Sequence, residues 1–479
     1  MSARAISLLL ASLAMTLHPV HARAQSQYLA LPADVTVTTK TTLLHASLSL
    51  SKAAKVLVVS DGRFYQTATN SAAYLHIDIG GTPAGNNAII DWRGSSAPAQ
   101  HSYEIVGFRS LSAGTYNIDL VGDFIAGSYA VAADSNLIVF VNPATQIKAM
   151  SLPVDVGRCS TITGNTSTSC SSDANCAGAK CEFNFITGDL SGGMQTWGPQ
   201  LNMDPRNEIT LLTTTFNPAG QDIVALAAGR AYRTSLNGNG DAMMNIYMDG
   251  AYGSSGSTYA GQNTSQWSVN DMNEIAELQA PLYSQGYFKA PSTGRNHTVS
   301  LTATEFVYGS PNENAVRYRY GASTSLVVLS GGMSIKGGTR STQMPGCAGD
   351  YIPIGPSKWC SGRARNTDYV IATQKISVTQ ANHPVLFSAK AREQSGELQC
   401  GTEAGNIYLW LTIDSGSRVG PLGVQQLKAG STQSQRTIST SYLATNLPLG
   451  TRTIKVHAES DGTLCDANIL DEMVLLYFD

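Results

Sequence analysis

Charge is scarce in this chain. Asp, Glu, Lys and Arg make up 14% of its 479 residues, against about a quarter in a typical globular domain. Basic residues do not outnumber acidic ones, 31 against 34, so there is no cationic footprint for nucleic acid or an anionic bilayer surface. Helical periodicity is also nearly absent; the one stretch that reads as a helix is NDMNEIAELQ (270–279), with Asn270 or Asp271 as its cap. Beyond the first residues no segment holds eighteen uninterrupted apolar residues, so a helical membrane span is not expected.

Catalytic signatures are missing as well. The chain has no G-x-S-x-G elbow, no H-E-x-x-H, no Walker loop and no strand-linked G-x-G-x-x-G. Past the leader its histidines stand singly at positions 45, 76, 101, 297, 383 and 457. The expectation is therefore no catalytic residues, no cofactor and no metal site. SLNGNGDAMMN (235–245) offers oxygen ligands at Asn237, Asn239 and Asp241, but it lacks the twelve-residue calcium loop with its terminal Glu and reads as a turn.

What is present begins with MSARAISLLLASLAMTLHPVHARAQS. An early Arg4, an apolar run from Ala5 to Leu17 and Ala22-Arg23-Ala24 form a secretory leader of residues 1–24, with cleavage before Gln25. Its removal lowers Lys+Arg from 31 to 29 against 34 Asp+Glu, a net charge of −5. The expected location is secreted, extracellular or on a bacterial cell surface, with the periplasm as the other compartment.

Eight cysteines suit such a compartment, because an even count in an exported chain is read as disulfides. They fall into local groups: Cys159, Cys170, Cys176 and Cys181; Cys347 and Cys360; Cys400 and Cys465. The last two groups are expected to pair internally. The first matches no C-x₂-C spacing and contains no His, so a stapled loop is expected there rather than zinc.

Apolar and polar residues alternate through VLVVSDGRFY, YLHIDI, LIVFV, MNIYMD, IYLWLTID and RTIKVHA, which are strand-length and rich in β-branched and aromatic side chains. These segments repeat in order. From Asp78 to Gly114 is 36 residues and from there to Leu137 is 23; from Asp414 to Gly450 is 36 and from there to Met473 is 23. A middle copy runs from Asp249 to Gly294 and Ser325 with longer intervals of 45 and 31. The fold class is accordingly all-β, with three tandem antiparallel β-sandwiches of jelly-roll type and disulfide-stapled inserts. The expected boundaries are sandwich 30–143, Cys-rich insert 144–206, sandwich 207–332, disulfide loop 333–366 and sandwich 367–479. Asp78, Asp249 and Asp414 recur at the same strand end, with Gly or Ser following within two residues, and are expected to cap turns through their own backbone.

The order VLVVSDGRFY, LHIDIGG, LSAGTYNIDL, LIVFV resembles the tumour-necrosis-factor-like jelly-roll domains, a group that includes the complement globular heads. The resemblance covers the three copies and neither insert. Because such domains usually trimerise, it implies a pseudo-trimer built into one chain; it carries over no binding residues.

Aromatics in polar, loop-like stretches are the remaining lead: Trp197, Trp267, Trp359, Tyr252 and Tyr259 as ligand-binding candidates, with Tyr283 and Tyr287 nearby. Trp410, inside IYLWLTI, reads as core. The resulting expectation is an exported, non-enzymatic protein acting in assembly or binding, with a protein or glycan partner, or itself, as the occupant. The alternative is a secreted carbohydrate-active enzyme or carbohydrate-binding protein. The enzyme would gather two of Asp91, Glu104, Asp123, Asp249, Glu274 and Glu277 in one groove.

Overall fold

The structure, a computed structural model, describes residues 26–68, 71–92, 100–155, 157–161, 164–178, 180–181, 209–233, 240–250, 258–259, 265–269, 277–289, 295–306, 318–331, 335–339, 352–353, 366–395, 403–431, 434–461, 468–469 and 473–478. Among them the only helical piece is a 3-10 turn at Asp173–Asn175, and no helix is long and apolar enough to cross a membrane. The leader lies outside the described residues.

Among the described residues, twenty-four of the strands form the sandwiches, eight in each of three units. The first unit has β1 (Gln27–Ala30), β2 (Thr41–Leu50), β3 (Ala54–Gln66), β4 (Ser71–Ile79), β5 (Thr82–Trp92), β6 (Gln100–Leu111), β7 (Gly114–Ala126) and β8 (Asn136–Val141). The second has β9 (Gln146–Ser151), β10 (Ile209–Phe216), β11 (Ile223–Arg233), β12 (Gly240–Met248), β13 (Ser265–Val269), β14 (Glu277–Phe288), β15 (His297–Phe306) and β16 (Ser325–Ser330). The third has β17 (Ile335–Thr339), β18 (Tyr369–Val378), β19 (Val385–Ser395), β20 (Glu403–Ile413), β21 (Arg418–Ser431), β22 (Ser434–Ala444), β23 (Gly450–Ser460) and β24 (Met473–Phe478).

In every unit one sheet runs first, eighth, third, sixth strand (β1-β8-β3-β6, β9-β16-β11-β14, β17-β24-β19-β22). The other runs second, seventh, fourth, fifth (β2-β7-β4-β5, β10-β15-β12-β13, β18-β23-β20-β21). That is jelly-roll order, and all of these ladders are antiparallel. Alternation is the local cause: in β2 the even-numbered residues from Leu44 to Leu50 are buried and their neighbours exposed. The inward residues form one apolar cluster for each unit, around Ile77 and Phe64, around Ile246 and Phe288, and around Leu409 and Phe387.

The units do not stop at their own edges. The sixth strand of each pairs with the fifth strand of another: β6 with β21 at His101↔Gln425, β14 with β5 at Gln279↔Asp91, and β22 with β13 at Arg436↔Trp267. Three joints of one kind close a ring, and each large sheet belongs to two units. The faces turned inward share a fourth apolar cluster that draws Leu57 and Val59, Val224 and Leu226, and Leu386 and Leu443 from all three units.

Several expectations need correction. Two strands fall inside the segments expected to be inserts: β9 completes a sheet of the second unit against β16, and β17 one of the third against β24. The helix read at 270–279 is overturned at its end, where Glu277 begins strand β14; residues 270–276 lie outside the described residues. Tertiary pairing of β14 with β11 outweighs the helical propensity of this short segment.

The repeat is also out of step by two residues in the first unit. Ile79, Met248 and Ile413 are equivalent, since they face Ile118, Val299 and Ile454 on the partner strand. The counterpart of Asp249 and Asp414 is therefore Gly80, not Asp78. All three adopt positive φ, +59° at Gly80, +62° at Asp249 and +56° at Asp414, and donate their N–H to Asn117, Thr298 and Thr453. The two Asp side chains bond across to the Thr298 and Thr453 amides instead of to their own backbone. Arg452 completes one turn and His297 the other.

Candidate functional site

A cluster of polar and aromatic side chains lies on the outer face of β20 and β23, with His457 and Thr412 buried and Tyr408, Trp410, Lys455 and Glu459 half-buried. Ile407, Leu409 and Leu411 point into the third unit's core, as do Ile454, Val456 and Ala458 on β23. The alternate residues therefore face outward as opposed pairs: Tyr408 with Glu459, Trp410 with His457, and Thr412 with Lys455. The Nδ1 of His457 is 2.7 Å from Asp368 Oδ1 and its Nε2 is 3.0 Å from Thr412 Oγ1. With an ionised carboxylate as acceptor Nδ1 carries the proton, and Nε2 pairs with the threonine hydroxyl.

Trp410 lies flat against the His457 ring, with centroids 5.3 Å apart and 13° between planes. Tyr408 donates its hydroxyl to Asp461 Oδ2 at 2.6 Å, and Asp461 also accepts from the backbone N–H and side-chain amide of Asn406. Burial first, and then the charges of Asp368 and Asp461, push the Glu459 carboxyl above its ordinary value.

Hydroxyl, imidazole and carboxylate stand here in the order of a nucleophilic relay. Acyl transfer also needs donors aimed at a developing oxyanion. The amides of β20 and β23 serve each other's ladder. Trp410 is half-buried on the surface and not in the core, which corrects the sequence expectation; the alternation of β20 sends it outward.

A second concentration of polar groups lies where the three units meet. Asp61 and Glu104 are opposed on β3 and β6, and Lys390 reaches them from β19. All three are at most 1% exposed. Lys390 Nζ donates to Glu104 Oε1 at 2.5 Å and to the Ser284 carbonyl at 3.2 Å, so one side chain ties three units together. Asp61 Oδ1 accepts from Ser439 Oγ at 2.7 Å, and Tyr283 donates to the Thr437 carbonyl. Burial pushes Glu104 up to about 8, with Lys390 opposing and Asp61 adding to the rise. Asp61 is raised too, again by burial foremost. A pit beside this cluster is lined by His101 and Ser102 of the first unit, Pro281 and Tyr283 of the second, and Gln425 and Arg436 of the third.

Of the aromatic candidates, Trp267 and Tyr259 lie in strands and not in loops: Trp267 in β13 opposite Arg436, at a joint between units, and Tyr259 in a two-residue strand beside Tyr247. Tyr283 and Tyr287 are on β14, and Tyr283 is buried at the centre. Trp197, Trp359 and Tyr252 lie outside the described residues, as do Cys347, Cys360, Cys400 and Cys465. In the first cysteine group Cys170 is bonded to Cys181, and Cys176 is disulfide-bonded as well. Cys159 sits opposite Cys181 in the short ladder of Gly157–Thr161 with Lys180–Cys181. The sulfurs of Cys170, Cys176 and Cys181 are thus engaged with each other's kind and do not form a thiolate metal site.

Of the carboxylates proposed for a glycosidase cleft, Asp91 and Glu277 lie on the paired strands β5 and β14, opposite Gln279 and Trp92, and three others have separate surroundings. Glu104 is at the centre, Asp123 accepts from the Phe124 amide, and Asp249 closes a turn with His297. Glu274 lies outside the described residues.

No family model and no curated protein matches the chain. Solved structures with partial likeness include the tandem CBM22 domains of Paenibacillus barcinonensis Xyn10C, at 11% identity, 55% of this chain, 81% of that one and a TM-score of 0.17. A structure of infectious bursal disease virus, Gt strain, shows 8% identity over 99% and 90% of the two chains, with a TM-score of 0.21. A triple jelly roll from the turret assembly of an archaeal virus shows 10% identity over 93% and 92%, with a TM-score of 0.17. Likeness this slight carries no functional argument; the jelly-roll class rests on the strand order of the chain itself.

Proposed function

We propose that this chain is an exported, non-enzymatic binding protein: three jelly-roll units closed into a single-chain pseudo-trimer, as the resemblance to tumour-necrosis-factor-like domains implied. Its recognition surface is the outer face of β20 and β23, and its partner is a protein or a glycan. The observation that carries the reading is the ring itself. All three sixth strands already have a fifth strand to pair with inside the chain, so no joint is left to recruit another copy.

A structural role in a larger assembly is the second reading. It is favoured by the outer edges, since β1, β2, β9, β10 and β18 each end a sheet and present unpaired backbone on one side. Light scattering on the purified, oxidised mature protein over a concentration range separates the two. A monomer at every concentration is expected; growth into large species overturns the binding reading in favour of assembly. Export is tested by sequencing the N-terminus of protein recovered outside the cytoplasm, where Gln25 is expected first.

A further inference from the structure

We propose that Lys390 and Glu104 condense into a side-chain amide that welds the first unit to the third. The geometry places the amine nitrogen 2.5 Å from one oxygen of the carboxyl, with both side chains at most 1% exposed. The strands holding them are 286 positions apart in the chain, yet face each other across the meeting point of the units. Chain connectivity has already removed the entropy of bringing these groups together, the largest obstacle to an uncatalysed condensation.

The dry surroundings act on the Glu104 carboxyl. An ion pair and a neutral acid–amine pair differ by one proton moved along this hydrogen bond. Burial disfavours the charged form, and it holds the Glu104 proton on well above the ordinary carboxyl range. The neutral pair holds an amine with a free lone pair and a carboxyl with a hydroxyl to lose. Asp61, directly across the ladder from Glu104, supplies the second acid. Its Oδ1 is held by Ser439. Its Oδ2 and Glu104 Oε2 are buried with no hydrogen bond among the described residues.

The step balances without an added reagent. Lys390 Nζ attacks Glu104 Cδ, the Asp61 carboxyl relays a proton from the nitrogen to the departing hydroxyl, the C–OH bond breaks and one water leaves. Asp61 ends as it began. The product replaces the buried acid and amine with a neutral amide.

Mass spectrometry of the reduced, mature protein tests this. The chain is expected to be lighter than its sequence by one water, and trypsin is expected to leave Lys390 uncut within a branched peptide joining Gly94–Arg109 to Ile376–Arg392. K390M and E104A are each expected to show the full mass for their sequence. If either variant fails to fold, the wild-type digest still decides. Wild-type protein at full mass, with Lys390 cleaved, overturns the proposal. So does a branch through Val56–Arg63, which would make Asp61 the carboxyl that reacts. Neither result alters the oligomeric state on which the proposed function rests.

Discussion

The centre of the ring and the outer face of the third unit use the same kinds of side chain in opposite settings. At the centre Lys390, Glu104 and Asp61 have almost no contact with water. On the outer face Asp368 is half exposed, its side chain at 51%, and holds His457 in place with one accessible carboxylate. A carboxyl group in the first setting keeps its proton and makes its neighbours indispensable. In the second it is a solvated acceptor that orients a ring at small energetic risk. The contrast shows why a polar cluster must be judged by its water and not by its residue types.

The sharpest way to break the comparison is at the centre. Glu104→Ala leaves the Lys390 amine buried with Asp61 and a carbonyl, and removing one partner of a buried pair costs about 3–5 kcal/mol. Chemical denaturation read by fluorescence should show the loss, and Asp368→Ala should not approach it.

Next in size is a pH effect. Where no amide has formed, folded Glu104 keeps its proton up to about pH 8, whereas in the unfolded chain it titrates near about 4.3. The folded state then binds more protons between these values, so stability falls as pH rises through that window. The linked protein has no carboxyl there and should lack this slope. Unfolding at several pH values, in protein sorted by mass, checks the sign.

On the outer face the expected losses are smaller. Tyr408→Phe removes the hydroxyl that Asp461 accepts, a cost of about 0.5–1.5 kcal/mol, measurable as a lowered denaturation midpoint. Trp410→Ala should weaken partner capture more than it weakens the fold, because one flank of the ring faces solvent; binding and melting curves measured side by side separate the two. Smallest of all is Arg452→Ala at the Asp414 turn. That ion pair is partly exposed, and such pairs add little to stability, so a nearly unchanged denaturation midpoint is expected.

Much of the architecture was legible in advance because β-sheets print their burial on alternate residues. The runs VLVVSDGRFY and IYLWLTID became β3 and β20, and the repeat of strand order announced three similar units. Two things were not legible. One was register: Asp78 and Asp249 look alike in the sequence, but the positive φ that defines the turn falls on Gly80 in the first unit, and a two-residue slip keeps the same face inward. The other was neighbourhood. Nothing local distinguishes Lys390 or Glu104 from surface residues, since their partners arrive from strands hundreds of positions away. Trp410 was misplaced for a related reason. An apolar ring between Leu409 and Leu411 reads as core until the alternation of β20 is enforced.

The ring also bears on how such a molecule can change over generations. On the equivalent strands β3, β11 and β19, the position facing the centre holds Asp61, Ala228 and Lys390, each two residues beyond Val59, Leu226 and Ser388. Three separate copies of one gene product would have to put the same residue at all three places, and three lysines or three aspartates would repel one another. Joining the copies in one reading frame removes that restriction. Acid, methyl and amine could then be chosen independently, and the three units ceased to be interchangeable.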